Sequence, residues 1–493
     1  MPLLLYFWTG VRSPSLPPLF FILATFYLYA SAVDPKFSYQ YYLDFALNRG
    51  VFKPDNSNIK ISSKDLGHNV AFSAPMIDFS ATNLTGYSTG ATWKGEFTSI
   101  GLGYALSAAH IFSATDSNLA KNGFALEFGG IVSMIVDYKN PYYTTSVPGD
   151  FAVLKMDKFN LNTAAKLSPN LNFVSINDLN GLNLYDKYTF NEAEARKLSD
   201  SSRYTFFVRE GAGVQMLGHL TQGADKITDN DLYHTGGFTY FSDIDNNPFA
   251  LRFESYDWQD NFNRFAFSSS SAPGDSGSTL YVYDNLNKEW YMIGVLSSSD
   301  CAGNDNNLCS IDVYSVVNNA LVNEFKDDKT IKLGAGKYIF NSSLLNSNMQ
   351  DMGAITINDN LASSLYWKSV FNKAKFNDRL AAMKDSKDIY FSQLGELSLE
   401  KNIDLGAGGL IFADNANRHI ESNDFWLVHA GIYTGLNSLV VYDVKTLDND
   451  FLHKIGEGRL IITSSSPNSG LRVGDGVVDL RSFILPARVQ VLR

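Results

Sequence analysis

Residues 271–282 read SAPGDSGSTLYV: Ser276 stands in a tight turn flanked by Gly and Asp that runs straight into an alternating apolar stretch. Turns collect Gly, Asp and Ser because these residues supply positive φ and local side-chain hydrogen bonds at low steric cost. The stretch therefore reads, at its plainest, as a turn before a strand. Its other reading is chemical. Gly274 has no side chain to keep a substrate from its N–H, and with the N–H of Ser276 it would form a pair of donors for an oxyanion. Past the turn, Thr279 to Tyr283 and Trp290 to Ser297 read as hairpin strands joined through Asp284-Asn285-Leu286-Asn287.

A serine attacks a carbonyl at neutral pH only when a base takes its proton, so the upstream chain must supply a histidine and a carboxylate to orient it. In SIGLGYALSAAHIF an apolar run passes into small residues and then His110, whose small neighbours let an imidazole sit at the floor of a cleft. In VPGDFAVLKMD, Asp150 occupies a turn before a strand-like run, where backbone donors can hold an acid that accepts from a histidine ring nitrogen. Taken singly, His110 also fits a buried core histidine and Asp150 a turn former. Taken together, the order His110, Asp150, Ser276 is that of the chymotrypsin-type β-barrel proteases and differs from subtilisin and the α/β-hydrolases.

Composition agrees with a β fold. Charged residues make up 18% and aromatics 14% of 493 residues, with abundant Tyr, Phe, Asn, Ser and Gly, a mixture suited to strands and turns. The length allows two or three domains. A net charge of −11, with no long basic run, opposes binding to a phosphate backbone, so no nucleic-acid partner is expected. The seven histidines are dispersed and no CxxC or HExxH spacing occurs, so neither a metal nor a cofactor is expected. GLGYAL, from Gly101, lacks the third glycine of a dinucleotide fingerprint and reads as a turn entering a strand.

The start of the chain differs from the rest. Arg12 precedes the apolar run LFFILATFYLYASA, Leu19 to Ala32, which ends in the small residues Ala30-Ser31-Ala32 before the polar VDPKFSYQ. A span takes about 20 apolar residues, so residues 1–32 read as a secretory leader cut after Ala32. The alternative is an uncleaved anchor that also uses LLLYFW. Export places Cys301 and Cys309, the two cysteines of the chain, where a local disulfide is reasonable, stabilising by about 2.5 kcal/mol on a chain-entropy estimate.

The segments SYQYYLDFALNRGVF, APMIDFS at Ala74 to Ser80, ALSAAH, GDFAVLKMDKF and APGDSGSTLYVYD followed by WYMIG resemble the protease domain of the immunoglobulin A protease family of autotransporters. Two positions depart from the family pattern. Thr279 stands where the family has proline after GDSGS, and Ile111 where Asn often follows the histidine. The resemblance implies a secreted serine endopeptidase with a chymotrypsin-like double β-barrel over residues 33–328. It also implies a protein or peptide substrate from a host's extracellular space, export through the periplasm to the cell surface or medium, and membrane contact only during export. In such folds the strand after the nucleophile hairpin walls the specificity pocket, which makes Ser297, Ser298 and Ser299 candidates for the wall and Ser270 for the base. No acid stands at Ser270, which argues against a preference for Arg or Lys.

DLGAGGLIFADN from Asp404 and the segment from Asp448 to Leu480 are similar to the opening rungs of the family's passenger stem. The residues read the same way: the short strands LIF, RLIIT, LRV and VVDL, separated by Gly, Asn, Asp and Ser, point to stacked coils. Residues 329–493 are thus expected to begin a right-handed parallel β-helix, with a partly helical insertion near 360–386. The family's long stem and translocator barrel find no room in these residues. The rival function is a catalytically inactive protease-fold adhesin or toxin-like binding passenger, since fold alone does not establish function.

Overall fold

The runs YALS and AVLKM lack any apolar–polar alternation, and both become strands buried on both faces, Tyr104–Ser107 and Ala152–Met156. Such continuous runs mark strands with no solvent side. One face carries Ala105, Ala152, Leu154 and Met156 against Phe97, Leu126, Phe128 and Ile135. The other turns Tyr104, Leu106 and Val153 toward the main core. The computed structural model describes residues 31–33, 36–64, 69–82, 95–112, 125–128, 131–139, 149–177, 187–211, 215–217, 225–226, 234–246, 249–255, 267–271, 274–301, 309–340, 383–384, 386–400, 403–445, 451–463, 470–481 and 489–491. Residues 1–30 of the expected leader, and almost all of the expected insertion near 360–386, lie outside them.

The two buried strands are the middle of a five-stranded antiparallel sheet, with Thr98–Gly101 on one side and Ile131–Lys139 then Ala125–Phe128 on the other. A second assembly closes on itself. Its six strands run in the order Tyr204–Gly211, Thr235–Ile244, Ala250–Glu254, Cys309–Val316, Glu289–Cys301 and Thr279–Asp284, which pairs back to the first. The expected hairpin after the GDSG turn is thus two neighbouring staves of a closed barrel. Cys301 and Cys309 face each other as Cα partners at the end of one of its ladders. An aromatic cluster fastens the N-terminal helix Tyr39–Ala46 to this barrel: Tyr42 stacks on Phe267 at 4.2 Å, and Phe45 meets Phe238 edge-on.

The helix Asn319–Asp328, whose N-cap Asn318 accepts from the Leu321 N–H at 3.0 Å, leaves the barrel and leads into a stack of parallel coils. Two sheets form its walls. Each has seven strands: one runs from Thr330–Leu333 to Val489–Val491, and the other runs through six from Gly336–Phe340 to Val477–Leu480 with Ile403–Asp404 added beside Asn417–Val428, and successive strands pair in parallel. Equivalent residues of neighbouring coils stand over one another, as Phe391 and Phe412 do with rings stacked at 5.1 Å. The corners repeat as well. Asp414 Oδ1 accepts from Leu436 N–H and Asn417 Oδ1 from Leu439 N–H, each across 22 residues, and Asn415 and Asn437 both take positive φ.

The sheet that contains Ala152–Met156 docks on these coils. The loop after that strand inserts Phe159 against Gly409 and Gly431, where a Cβ would lie 2.0 and 2.8 Å from its ring and side chain. The Phe159 N–H donates to Ala430 O at 2.9 Å, and its carbonyl accepts from His453 Nδ1 at 3.1 Å. Beneath this contact lies Lys155, whose Nζ sits 2.8 Å from both oxygens of Asp388, which also accepts from Tyr104 Oη.

Candidate active site

The five-stranded sheet and the closed barrel each bring one part of the site. From the sheet, the strand Tyr104–Ser107 ends in a short helical turn, Ala109–Phe112, that carries His110. Asp150 follows Gly149, whose φ of 111° only glycine takes easily, and precedes the strand Ala152–Met156. Asp150 Oδ1 accepts from the His110 backbone N–H at 2.6 Å, and Oδ2 is hydrogen-bonded to His110 Nδ1. This fixes both the position of the residue and the direction of its ring. The imidazole is 33% exposed, which leaves its other edge open to a ligand.

The barrel grips the same carboxylate. Ser297 Oγ donates to Asp150 Oδ2 at 2.8 Å, and the Asp150 N–H donates to Ser315 Oγ at 2.7 Å. Ser297, expected as a pocket wall, therefore turns its hydroxyl to the carboxylate, and Ser315 is a contact that the sequence did not reveal. The residue before Ser297 holds the GDSG turn: Leu296 O accepts from Gly277 N–H at 2.9 Å, and Leu296 N–H donates to Ser278 O at 2.8 Å. Two consecutive residues of one strand thus hold the turn of Ser276 and the carboxylate beside His110.

The sheet side closes on the turn as well. Ser276 O accepts from Glu96 N–H at 2.7 Å. A Cβ at Gly277 would fall 2.3 Å from Glu96 O, 2.5 Å from Ser107 Oγ and 3.1 Å from Ile111 Cδ1, so the residue after Ser276 abuts the residue after His110. Gly277 also has a φ of 83°. Any other residue there would strain the backbone and separate the two halves. Gly274 is likewise at positive φ, 106°. Among the described residues, the N–H groups of Gly274 and Ser276 have no acceptor, whereas those of Gly277 and Ser278 are spent on Leu296 O and Asp275 O.

Behind the turn is a charged cluster that the sequence did not announce. Asp275, between the two unspent N–H groups, pairs with Arg209 Nη2 at 2.9 Å, and both side chains are 0% exposed. Burial opposes the guanidinium charge, but Tyr314, Asp275 and Asp312 outweigh it and hold Arg209 well above its ordinary pKa. Burial raises the pKa of Asp312, against the pull of Arg209 and of hydrogen bonds from Ser271. Of the remaining expected pocket residues, Ser270 is buried with its carbonyl taken by Arg209 Nη1 at 2.8 Å, and Ser298 is exposed. Ser299 Oγ meets Ser271 Oγ at 2.5 Å, and Ser271 in turn bonds Asp312. Among the described residues, no group of three or more His, Cys, Asp or Glu is placed to hold a metal.

A closed β-barrel and a β-sheet that share a His–Asp pair and a GDSG turn, followed by stacked parallel coils, define a mostly β protein of barrel-plus-coil form. Residues 30–318 match the family described as Immunoglobulin A1 protease, over more than half of the chain, and the chain belongs to that family. The chain is 28% identical over 447 residues to Serine protease EspC of Escherichia coli O127:H6, covering 90% of this chain and 28% of that protein. Against Serine protease EspP of Escherichia coli O157:H7 it is 27% identical over 471 residues, 93% of this chain and 30% of that protein. The chain therefore spans less than a third of the length of these relatives. Among solved structures, the Haemophilus influenzae Hap adhesin superposes with a TM-score of 0.66 at 21% identity, over 94% of this chain and 48% of that one. The passenger domain of the plasmid encoded toxin of enteroaggregative Escherichia coli does so with a TM-score of 0.62 at 23% identity, over 90% and 39%. At these identities the two structures establish likeness of fold alone.

Proposed function

We propose that the chain is the protease-bearing part of a secreted serine endopeptidase. Ser276 Oγ attacks the scissile carbonyl carbon as its proton passes to His110 Nε2, and the oxyanion that forms is held by the N–H groups of Gly274 and Ser276. His110 returns the proton to the amine as the C–N bond breaks. Water, deprotonated by the same imidazole, then releases the acyl group as a carboxylate and restores Ser276. Asp150 keeps the proton-bearing Nδ1 toward itself and stabilises the imidazolium. The observation that carries this reading is the strand pair Leu296-Ser297, which ties the Ser276 turn and the Asp150 carboxylate to one rigid element.

The pocket for the residue before the cut lies between Ser270-Ser271 and Ser298-Ser299. The hydroxyl bridge from Ser271 to Ser299 narrows it, and Asp312 beside it is already engaged by Ser271 and lies 4.0 Å from Arg209. A small uncharged side chain fits it best. The substrate is an extracellular protein, the leader ends at Ala32, and Cys301 and Cys309, Cα partners on adjoining strands, close a cross-strand disulfide.

Cleavage of a broad peptide library by the protein and by Ser276→Ala tests the reading. Hydrolysis after small uncharged residues that falls by about 10⁶ in the variant is the expected result. Two folded proteins that leave the library equally uncut would discard it in favour of a binding passenger.

A further inference from the structure

Asp275 sits between the two residues that supply the oxyanion donors, and its charge is answered from the floor of the barrel. One guanidinium serves three segments. Arg209 Nη2 reaches Asp275 Oδ2 at 2.9 Å, Nη1 reaches Ser269 Oγ at 3.0 Å and Ser270 O at 2.8 Å, and Nε donates to Tyr314 Oη at 3.1 Å. Room for the pair is made on its own strand: a Cβ at Gly211 would fall 2.6 Å from both Arg209 Nη2 and Asp275 Oδ1. Arginine suits this place because its charge survives burial and its planar fork engages several partners at once.

We propose that Arg209 is a positioning residue for peptide hydrolysis: through Asp275 it holds Gly274 and Ser276 with their N–H groups turned to the substrate carbonyl, so that the folded chain carries a formed oxyanion site. The proposal rests on the endopeptidase reading of Ser276.

The test compares Arg209→Met and Arg209→Lys in the full chain by steady-state kinetics on a peptide substrate and by hydrogen exchange of residues 274–278. The exchange reports order directly, because Gly277 N–H and Ser278 N–H are bonded to Leu296 O and Asp275 O. Arg209→Met is expected to lose about 10²- to 10³-fold in kcat, the scale of a lost oxyanion donor, with KM changed less than about threefold, and Arg209→Lys to recover at least about tenfold of the loss. Exchange at 274–278 is expected to rise about tenfold or more while that of Thr235–Ile244 and Ala250–Glu254 stays put. An unchanged kcat, or exchange that is unaltered at the turn or raised throughout the barrel, overturns the proposal. If Arg209→Met does not fold, Asp275→Asn, which leaves the other contacts of Arg209 in place, must show the same local rise. If the parent protein and Ser276→Ala are equally inert, the endopeptidase reading fails, and the exchange comparison alone decides whether Arg209 orders the turn.

Discussion

Arg209–Asp275 in the barrel and Lys155–Asp388 at the junction with the coils are both cation–carboxylate pairs closed to water, with no side chain more than 1% exposed. They differ in the cation and in what it holds. Burial opposes the charge of either one. At Arg209 the surrounding Tyr314, Asp275 and Asp312 outweigh burial, whereas at Lys155 burial prevails over Asp388 and the ammonium is held below its ordinary pKa. The cation beside the Ser276 turn thus keeps its charge at any working pH. The one at the junction joins two assemblies, with Tyr104 Oη and the Gly409 N–H as further donors to Asp388. A buried ion pair therefore has no single meaning, and its neighbours decide whether it serves a turn or a seam.

The largest effect that separates the two is loss of one partner at the seam. Asp388→Ala leaves Lys155 buried without its acid and is expected to cost about 3–5 kcal/mol in urea unfolding, with kcat within about threefold of the parent. A large loss of kcat in a folded Asp388→Ala protein would show that seam and site are coupled, and the contrast would fail. Replacing both partners, Lys155→Met with Asp388→Leu, is expected to recover stability to within about 1–2 kcal/mol. Arg209→Met with Asp275→Leu is not expected to recover kcat.

Ser297→Ala comes next in size. Removing a hydroxyl that donates to the ionised Asp150 is expected to cost about 1.5–3 kcal/mol, read as a fall of about ten- to a hundredfold in kcat with stability little altered. Unchanged kinetics would mean that His110 and Ser315 hold Asp150 without help. The seam should also be the part that acid loosens. Burial pushes the pKa of His453 down to about 3 and that of His429 down to about 4, so both are neutral in the fold while the unfolded chain protonates near 6.5. The unfolded state then binds more protons. Stability should be full above pH 6.5 and fall toward pH 3–4, by at most about 1.4 kcal/mol per pH unit for each histidine. Calorimetry of His453→Gln across that range checks it: a slope equal to the parent's removes His453 from the account. The smallest effect is Leu286→Ser in the exposed turn of the hairpin that follows the GDSG turn, where Leu286 is 72% exposed, expected to shift stability by less than about 0.5 kcal/mol.

Much of the site could be read from the chain. The turn of Gly274 to Gly277, the hairpin behind it, and the flanks of His110 and Asp150 are local patterns, and local patterns set turn dihedrals and strand alternation. The coils were legible for the same reason: LIF, LRV and VVDL fall within the strands Leu410–Phe412, Gly470–Val473 and Val477–Leu480, and RLIIT matches Arg459–Ile462 but for its last residue, Thr463. Ser297 was legible as important but not in its role. In a row of three serines nothing in the sequence tells which hydroxyl turns inward; the register shift between Leu296 and Ser298 in the pairing with the strand Cys309–Val316 sits at this residue. Arg209 was not legible at all. In YTFFVREG it reads as the polar end of a strand, and its complete burial follows only from closure of the barrel around it.

The sequence by itself determined the groups able to do chemistry, the order in which they occur, the turn that presents Ser276, and a chain built of strands, because these depend on residue type and on neighbours within a few positions. Tertiary structure alone decided which groups answer them. Ser297 lies 147 positions from Asp150, Ser315 lies 165 away, and Arg209 lies 66 from Asp275. Such partners meet only when the barrel closes and the sheet packs on it. A hydroxyl or a guanidinium carries no local mark of the carboxylate it will find, since the cost of leaving it unpaired arises only when folding takes it out of water.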